Sequence, residues 1–175
     1  MNKQSLGFFP TMLQKMERLS EELGYEIYFK RDDMTGFNPY GGNKIRKLEY
    51  LMGDAIAQGC DTVITYGATQ SNHVMETVSA ARRCGLNPIV YLVSIVEPDE
   101  NDIRANLLLD ALFGAEIHII SANGEDMGKA TERSKALSAQ RIKELEKDGH
   151  KCYDIPTGGA TGVGSCAYAE GFEEL

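Results

Sequence analysis

The segment TVITYGATQSNHVMETVSAARRCG, residues 62–85, places a strand, a loop and a helix in immediate succession. β-Branched and aromatic residues dominate 62–67, a composition typical of a strand. A helix is predicted over 71–85, and Gly85 is the residue type that commonly ends one. A strand followed closely by a helix is the repeating unit of a parallel α/β sheet, so this segment predicts the fold class.

The same alternation extends to both sides of this segment. Further strands are predicted at 26–33, 88–93, 115–120 and 151–156, and further helices at 44–59, 102–114, about 125–148 and beyond the glycine-rich loop 158–164. The short links between them indicate parallel strand–helix–strand units and a layered α/β fold. The helix at 125–148 carries many charges and a sparse apolar stripe, so we expect it on a solvated outer face.

The composition narrows the classes of function. A chain of 175 residues with 42% hydrophobic and 25% charged residues is an ordinary globular composition, and its net charge of −8 argues against nucleic acid or an anionic membrane as the main partner. No apolar run reaches membrane-spanning length and no signal peptide is recognisable, which predicts a cytoplasmic protein. The four cysteines and three histidines lack metal-ligand spacing, so we expect reduced thiols and no metal site.

A cluster of cations opens the helix that Asn43 is expected to cap. Lys44, Arg46 and Lys47 lie in its first turn, where the helix dipole disfavours positive charge. The residues that share the face of Lys44 are Leu48, Leu51 and Ala55. Partial burial, the helix end and Lys47 therefore predict a lowered pKa for Lys44, which suits covalent bonding to an aldehyde cofactor. A lysine that extends to solvent beside an ordinary helix start is the alternative.

The loop YGATQSNH, residues 66–73, follows a strand and opens a helix. Parallel sheets place ligands at this point, and free backbone N–H groups there attract a phosphate or a carboxylate. Ser71, Asn72 and His73 add a hydroxyl, an amide and a titratable ring. Ordinary helix capping and a structural histidine are the alternative. Neither a nucleophile elbow nor a Walker loop is present, so hydrolase and nucleotide-binding functions receive little support.

Five motifs, in the same order along the chain, resemble one family of enzymes. The motifs FKRDD, GGNKIRKLEYL, QGCDTVIT, QSNH and IPTGGAT resemble the D-cysteine desulfhydrase and 1-aminocyclopropane-1-carboxylate deaminase family. The resemblance extends from about residue 8 to the end of the chain, and GGNKxRKLE followed by QSNH is a specific combination. It implies a pyridoxal-phosphate enzyme with the parallel, three-layer α/β fold of the tryptophan-synthase-β type, known as fold type II.

The resemblance implies roles for five residues. Lys44 matches the lysine that is joined covalently to pyridoxal 5'-phosphate and that moves the α-proton of the substrate. Lys47 matches a lysine near the cofactor phosphate, and Asn72 matches an asparagine against the cofactor ring and its 3-hydroxyl. Ser71 matches the start of the loop that holds the substrate carboxylate, and a proton-transfer partner in the deaminase branch. Asn72 and His73 complete the substrate-binding set, for a small amino acid.

His73 favours one branch of the family. The deaminase branch has QSNQ at this place, so QSNH favours a D-cysteine desulfhydrase, which converts D-cysteine to pyruvate, sulfide and ammonia. 1-Aminocyclopropane-1-carboxylate deaminase and L-cysteate sulfo-lyase are the alternatives within the family. A truncated α/β fragment without catalytic activity is a further alternative, because family members are considerably longer than 175 residues.

The resemblance also implies two domains. Residues 1–50 and 156–175 correspond to an incomplete large domain that binds the cofactor, and residues 51–155 to a small domain with a four-stranded parallel sheet. An incomplete domain exposes apolar surface, which predicts a homodimer or a partner that supplies the missing part. Met75 and Glu76 depart from the family, which often has a basic residue in these positions.

Overall fold

A parallel sheet lies at the centre of the structure, a computed structural model that describes residues 2–36, 41–99 and 101–175. The strands are β1 (Leu13–Lys15), β2 (Tyr28–Lys30), β3 (Thr62–Ala68), β4 (Asn87–Ser94), β5 (Glu116–Ser121) and β6 (Cys152–Ile155). The helices are α1 (Glu17–Leu23), α2 (Lys44–Ala57), α3 (Asn72–Arg83), α4 (Ala105–Leu112), α5 (Met127–Lys147) and α6 (Gly162–Glu173). Short 3₁₀ turns occupy Asp32–Met34 and Thr157–Gly159.

The central sheet has the strand order β5–β4–β3–β6, and all of its pairings are parallel. β3 pairs with β4 along its whole length, from Thr62 beside Asn87 to Ala68 beside Val93. The carboxyl ends of the four strands therefore lie at one edge of the sheet, which is where α/β folds bind ligands. The predicted α/β fold with a four-stranded parallel sheet is confirmed.

Side chains of β3 alternate between two layers of helices. Val63 packs with Leu48 and Leu51 of α2, whereas Ile64 packs with Leu145 of α5. A period of two is expected for a strand covered on both faces. The residues of α5 that are buried are Ala130, Ser134, Ser138 and Leu145, so the helix lies on the outside as its charge pattern predicted.

The amino-terminal part differs from the sequence prediction. The strand predicted at 26–33 is reduced to β2, which pairs antiparallel with β1 outside the central sheet. β1 and α1 were not predicted, because three-residue strands and a seven-residue helix offer too few residues for a periodic pattern. α4 begins at Ala105 and not at residue 102, and Ala105 itself has a left-handed φ of 48°.

Arg46 of α2 pairs with two carboxylates that lie far apart along the chain, those of Asp32 and Glu174. Its guanidinium is 3% exposed and lies 2.7 Å from carboxylate oxygens of both Asp32 and Glu174. The Phe9 ring covers it, with 4.5 Å between the guanidinium carbon and the ring centroid. Hydrogen bonds from Arg46 lower the pKa of Glu174 to about 2, and Lys30 adds to the effect. These bidentate ion pairs fix the first turn of α2 against the turn after β2 and the end of α6.

Apolar side chains are exposed around β1, β2 and the end of α6. They include Met12, Leu13, Tyr28, Phe29, Phe172 and Leu175. Apolar side chains are therefore exposed close together in this part of the chain. No helix in the described part of the chain combines the length and the apolar character needed to cross a bilayer.

Replacing Arg46 by Met is expected to lower the free energy of unfolding by about 3 kcal/mol, because Asp32 and Glu174 keep their charges without the guanidinium. Arg31→Met is the matched control: Arg31 pairs with the exposed Asp33 at 2.7 Å, and its loss is expected to cost less than about 1 kcal/mol. Urea unfolding followed by circular dichroism measures both values. Equal losses in the two variants would contradict the role assigned to Arg46.

Candidate active site

Lys44 is the first residue of α2, and its side chain is half-buried. Its Nζ donates to Oδ1 of Asn43 at 3.0 Å. The helix start after Asn43 is confirmed, but the prediction that the Asn43 side chain caps it is wrong. Asn43 has helical backbone angles, φ −66° and ψ −15°, whereas a capping residue is usually extended. Its amide group donates instead to Tyr168 Oη of α6, at 3.3 Å.

The side chain of Glu76, from α3, lies against the start of α2. Its carboxyl group is beside the backbone N–H groups of Lys44 and Ile45, at the positive end of the helix, and these groups favour its charged form. Gly42 lies against the carboxylate so closely that a Cβ there would collide with Oε1. The side chain is 3% exposed, and Oε2 has no hydrogen-bond partner among the described residues. Burial raises the pKa of Glu76 to about 7, against the opposing charge of Lys44.

The loop between β3 and α3 presents Ser71 and Asn72 at the carboxyl edge of the sheet. Ser71 is the N-cap of α3, and its Oγ accepts from Val74 N at 3.3 Å. The capping role proposed as the alternative for Ser71 is therefore present. Asn72 is exposed, and its Oδ1 accepts from Nδ2 of Asn106 at 2.8 Å.

His73 lies beneath this loop and is 6% exposed. Its Nε2 lies 3.0 Å from Thr65 Oγ1, and that hydroxyl donates to the carbonyl oxygen of Ile155 at 3.0 Å. Nε2 therefore carries the proton and donates to Thr65, while Nδ1 has no partner among the described residues. Burial, and then the charges of Lys44 and Lys47, lower the pKa of His73 to about 4. The ring is therefore neutral at physiological pH.

Lys47 lies one turn into α2 and faces the glycine-rich turn after β6. Its Nζ donates to the carbonyl oxygen of Gly158 at 3.1 Å. Burial and the charge of Lys44 lower the pKa of Lys47. Gly158 and Gly159 have φ values of 70° and 60°, and a Cβ on Gly159 would lie 3.1 Å from Leu51. The motif IPTGGAT therefore requires glycine to bring its backbone against α2.

Three of the five predicted site residues line one cavity of about 460 Å³: Lys44, Asn72 and His73. Glu76 also lines it, together with residues of 29–33 and 41–43. Lys47 and Ser71 lie outside its lining, Lys47 beside Gly158 and Ser71 at the N-cap of α3. The arrangement offers a primary amine, an amide and a neutral imidazole beside a buried carboxyl group.

A second cavity of about 440 Å³ lies on the other side of the β3–α3 loop, and Thr69, Gln70 and Leu107 contribute to its lining. Its described lining includes one cation, Arg104, and three carboxylates, Glu97, Asp99 and Asp102. No lysine is among the described residues that line it. The Lys44 cavity is therefore the better candidate.

The side chains that hold the site residues in place were not predicted from the sequence. Glu76 follows Asn72 by four positions in α3, so helical spacing could have placed it on the same face. Asn106 comes from α4, 34 residues beyond Asn72, and no local pattern indicates the contact. Thr65 points from β3 towards His73, a pairing that depends on tertiary packing.

Glu76→Gln is expected to change how stability depends on pH. The pKa of Glu76 rises from 4.5 in the unfolded chain to about 7 in the fold, so ionisation costs stability as the pH rises through this interval. At pH 4, the difference in the free energy of unfolding between variant and wild type serves as the reference. Above pH 7, this difference should shift in favour of the variant by up to about 3 kcal/mol. Chemical unfolding at several pH values measures this. Parallel profiles for the two proteins would contradict the assignment, and Glu22→Gln, at an exposed site, is the control.

Comparison with known proteins agrees with this geometry. Residues 4–175 match the family model described as "Pyridoxal-phosphate dependent enzyme". A solved structure described as an "ACC deaminase homologue" superposes with a TM-score of 0.83 at 37% identity, and the match covers 99% of this chain and 50% of the other. The fold-type II class predicted from the motifs is thereby confirmed.

Named relatives are similar over nearly the whole chain. The "Putative 1-aminocyclopropane-1-carboxylate deaminase" of Pyrococcus abyssi is 45% identical, over 94% of this chain and 46% of its own length. The D-cysteine desulfhydrase of Salmonella paratyphi C is 40% identical, over 95% of this chain and 48% of its own length. The chain thus spans about half the length of the curated relatives it matches. With residues 4–175 matched, the chain belongs to the family of pyridoxal-phosphate dependent enzymes.

Proposed function

We propose that this chain supplies the reactive lysine of a lyase that acts on a small D-amino acid, with D-cysteine as the leading substrate. The products would be pyruvate, sulfide and ammonia. The observation that carries the proposal is the shared cavity of Lys44, Asn72 and His73 at the start of α2. D-Cysteine is favoured because the motif QSNH ends in His73 and because relatives of the chain are named D-cysteine desulfhydrases.

The residues of the cavity fit pyridoxal phosphate. Lys44 has an amine for the covalent bond, and within the described residues no carboxylate lies within 4.0 Å of it. Lys47 donates to the carbonyl oxygen of Gly158. In the same turn, a Cβ on Gly159 would lie 3.1 Å from Leu51, so the glycine backbone lies close to α2. A cation is therefore next to a turn whose backbone has no side chains in the way of a phosphate. Asn72 would face the ring. When bound, the cofactor supplies an electron sink that acidifies the α-proton of an amino acid.

The residues of the site would each have a distinct role in the reaction. Lys44 Nζ receives and returns the α-proton, and Asn43 Oδ1, at 3.0 Å, orients the amine. Ser71 fixes the first turn of α3 through its bond to Val74, so that the free N–H groups of this turn are available to the substrate carboxylate. His73 contributes a neutral ring to the wall of the cavity.

Two further activities are distinguished by substrate. 1-Aminocyclopropane-1-carboxylate deamination is favoured by the names of several relatives, and one Arabidopsis thaliana relative, 38% identical over 98% of this chain, is named for both activities. L-Cysteate desulfonation is the third member of the group. A chain that binds ligands without turnover is the remaining alternative. The match spans about half of each relative's length.

The proposal extends to organisation and partners. Residues 1–50 and 156–175 would form part of a cofactor-binding domain and 51–155 a small domain, with the boundary near residue 50 inside α2. The exposed apolar side chains around Phe29 and Phe172 would be covered in a homodimer. The four cysteines are free thiols, which suits a reducing cytoplasm.

Borohydride reduction of the chain with pyridoxal phosphate is expected to leave one adduct, on the peptide that contains Lys44. Lys44 lines the cavity, and Lys30, the other lysine of the described lining, is paired with Glu174 at 2.5 Å. Most of the remaining lysines are exposed. Mass spectrometry after digestion locates the adduct. Lys44→Ala should remove it, and Lys129→Ala, at an exposed site, should not. An adduct spread over many lysines would contradict an assembled site.

The holoenzyme is expected to turn over D-cysteine, with release of pyruvate, faster than it turns over L-cysteine, L-cysteate or 1-aminocyclopropane-1-carboxylate. Lys44→Ala should lower kcat by about 10²-fold or more, because the base that moves the α-proton is lost. Coupled lactate dehydrogenase assays follow pyruvate, and ketobutyrate detection follows the cyclopropane substrate. Preference for the cyclopropane substrate would transfer the assignment to the deaminase branch.

A further inference from the structure

A strained residue lies next to the site at the start of α4. Ala105 has a φ of 48°, in the left-handed region that residues with a Cβ rarely adopt. Such conformations persist where surrounding contacts hold them. The contacts on either side of Ala105 both come from the β3–α3 loop.

The side chain of Gln70 spans Ala105. Its Nε2 donates to the carbonyl oxygen of Arg104 at 3.3 Å, and its Oε1 accepts from the backbone N–H of Asn106 at 3.1 Å. One amide group thus binds the backbone before and after the strained residue. The left-handed turn is therefore fixed by Gln70, the first residue of the motif QSNH.

The left-handed turn at Ala105 determines where the side chain of Asn106 lies. Its Nδ2 donates to the carbonyl oxygen of Gln70 at 3.0 Å and to Oδ1 of Asn72 at 2.8 Å. Both protons of the Asn106 amide are used, and the acceptor atom of Asn72 is occupied. Among the described residues, no acceptor lies within hydrogen-bond distance of Asn72 Nδ2, so this N–H group is the one left for a ligand.

We propose that Asn106 is a positioning residue of the active site: fixed by Gln70 across Ala105, it orients the Asn72 amide so that Nδ2 donates to an oxygen of the bound cofactor ring. This inference rests on the proposed function. Asn106 lies outside the lining of the Lys44 cavity and acts through Asn72. The assignment explains why a strained backbone is retained beside a loop of the site.

The orientation gives the two obvious substitutions different expected effects. Asn106→Ala removes the contact and leaves the Asn72 amide free to rotate. Asn106→Asp has the same shape but accepts where the amide donated, so Asn72 turns Nδ2 towards the new carboxylate and presents Oδ1 to the cofactor. Two oxygens then face each other. Cofactor binding should therefore weaken from wild type to Asn106→Ala, and further in Asn106→Asp, by about tenfold or more in total.

The experiment measures the dissociation constant of pyridoxal phosphate and the pH at which the absorption band of the bound cofactor changes, in the loaded protein. Ala105→Gly keeps Asn106 and is expected to bind as the wild type does. Asn101→Ala is the matched control, because Asn101 lies on the same loop and bonds to Asp99. Wild-type affinity and an unchanged pH in both Asn106 variants would overturn the inference.

A second background tests whether the effect passes through Asn72. In Asn72→Ala, the Asn106→Asp substitution is expected to lose most of its effect, because the group that it turns is absent. An undiminished effect would overturn the positioning role. If the wild type fails to bind the cofactor, the proposed function fails. The Asn72 side-chain amide signals in ¹⁵N NMR of the unloaded chain then decide: they should shift in Asn106→Ala, and unchanged signals would overturn the inference.

Discussion

The concentration of positive charge at the first turn of α2 is the constraint on which the rest of the site depends. Lys44, Arg46 and Lys47 lie at a helix end that already carries partial positive charge. The fold offsets part of this charge with two carboxylates from distant parts of the chain, because Arg46 pairs with Asp32 and Glu174. The buried carboxyl group of Glu76, whose pKa is raised to about 7, lies at the helix end. Their packing joins α2 to α3, α6 and the segment after β2.

Lys44 and Lys47 have no carboxylate partner of this kind among the described residues. Within the described residues, no carboxylate lies within 4.0 Å of the ammonium groups of Lys44 or Lys47, although the whole chain has a net charge of −8. Positive charge is thus left unpaired at one end of one helix in an acidic protein. Unpaired positive charge attracts an anion. We expect the anion to contact Lys47, whose Nζ lies beside the carbonyl oxygen of Gly158. The neutral His73 adds no competing charge.

The sequence predicted the features that depend on local patterns. Alternating strands and helices gave the parallel sheet, and the motifs around Lys44 and Asn72 gave the residues that meet in the cavity. The features that it missed depend on contacts between distant segments. Asn43 is the residue type of a cap, yet its side chain does not cap α2, and the side chain that lies against the start of the helix is Glu76, 33 positions further on. The start of α4 was placed too early, because the left-handed turn at Ala105 is held by Gln70 and leaves no signal in composition.

A crystal structure of the protein with pyridoxal phosphate tests the central claim most directly. The account predicts electron density continuous with Lys44 Nζ, a ring beside Asn72 and a phosphate near Lys47 and Gly158. It also predicts that Glu76 keeps its contact with the start of α2. Cofactor density in the second cavity, beside Thr69 and Arg104, or density that ends short of Lys44, would contradict the account.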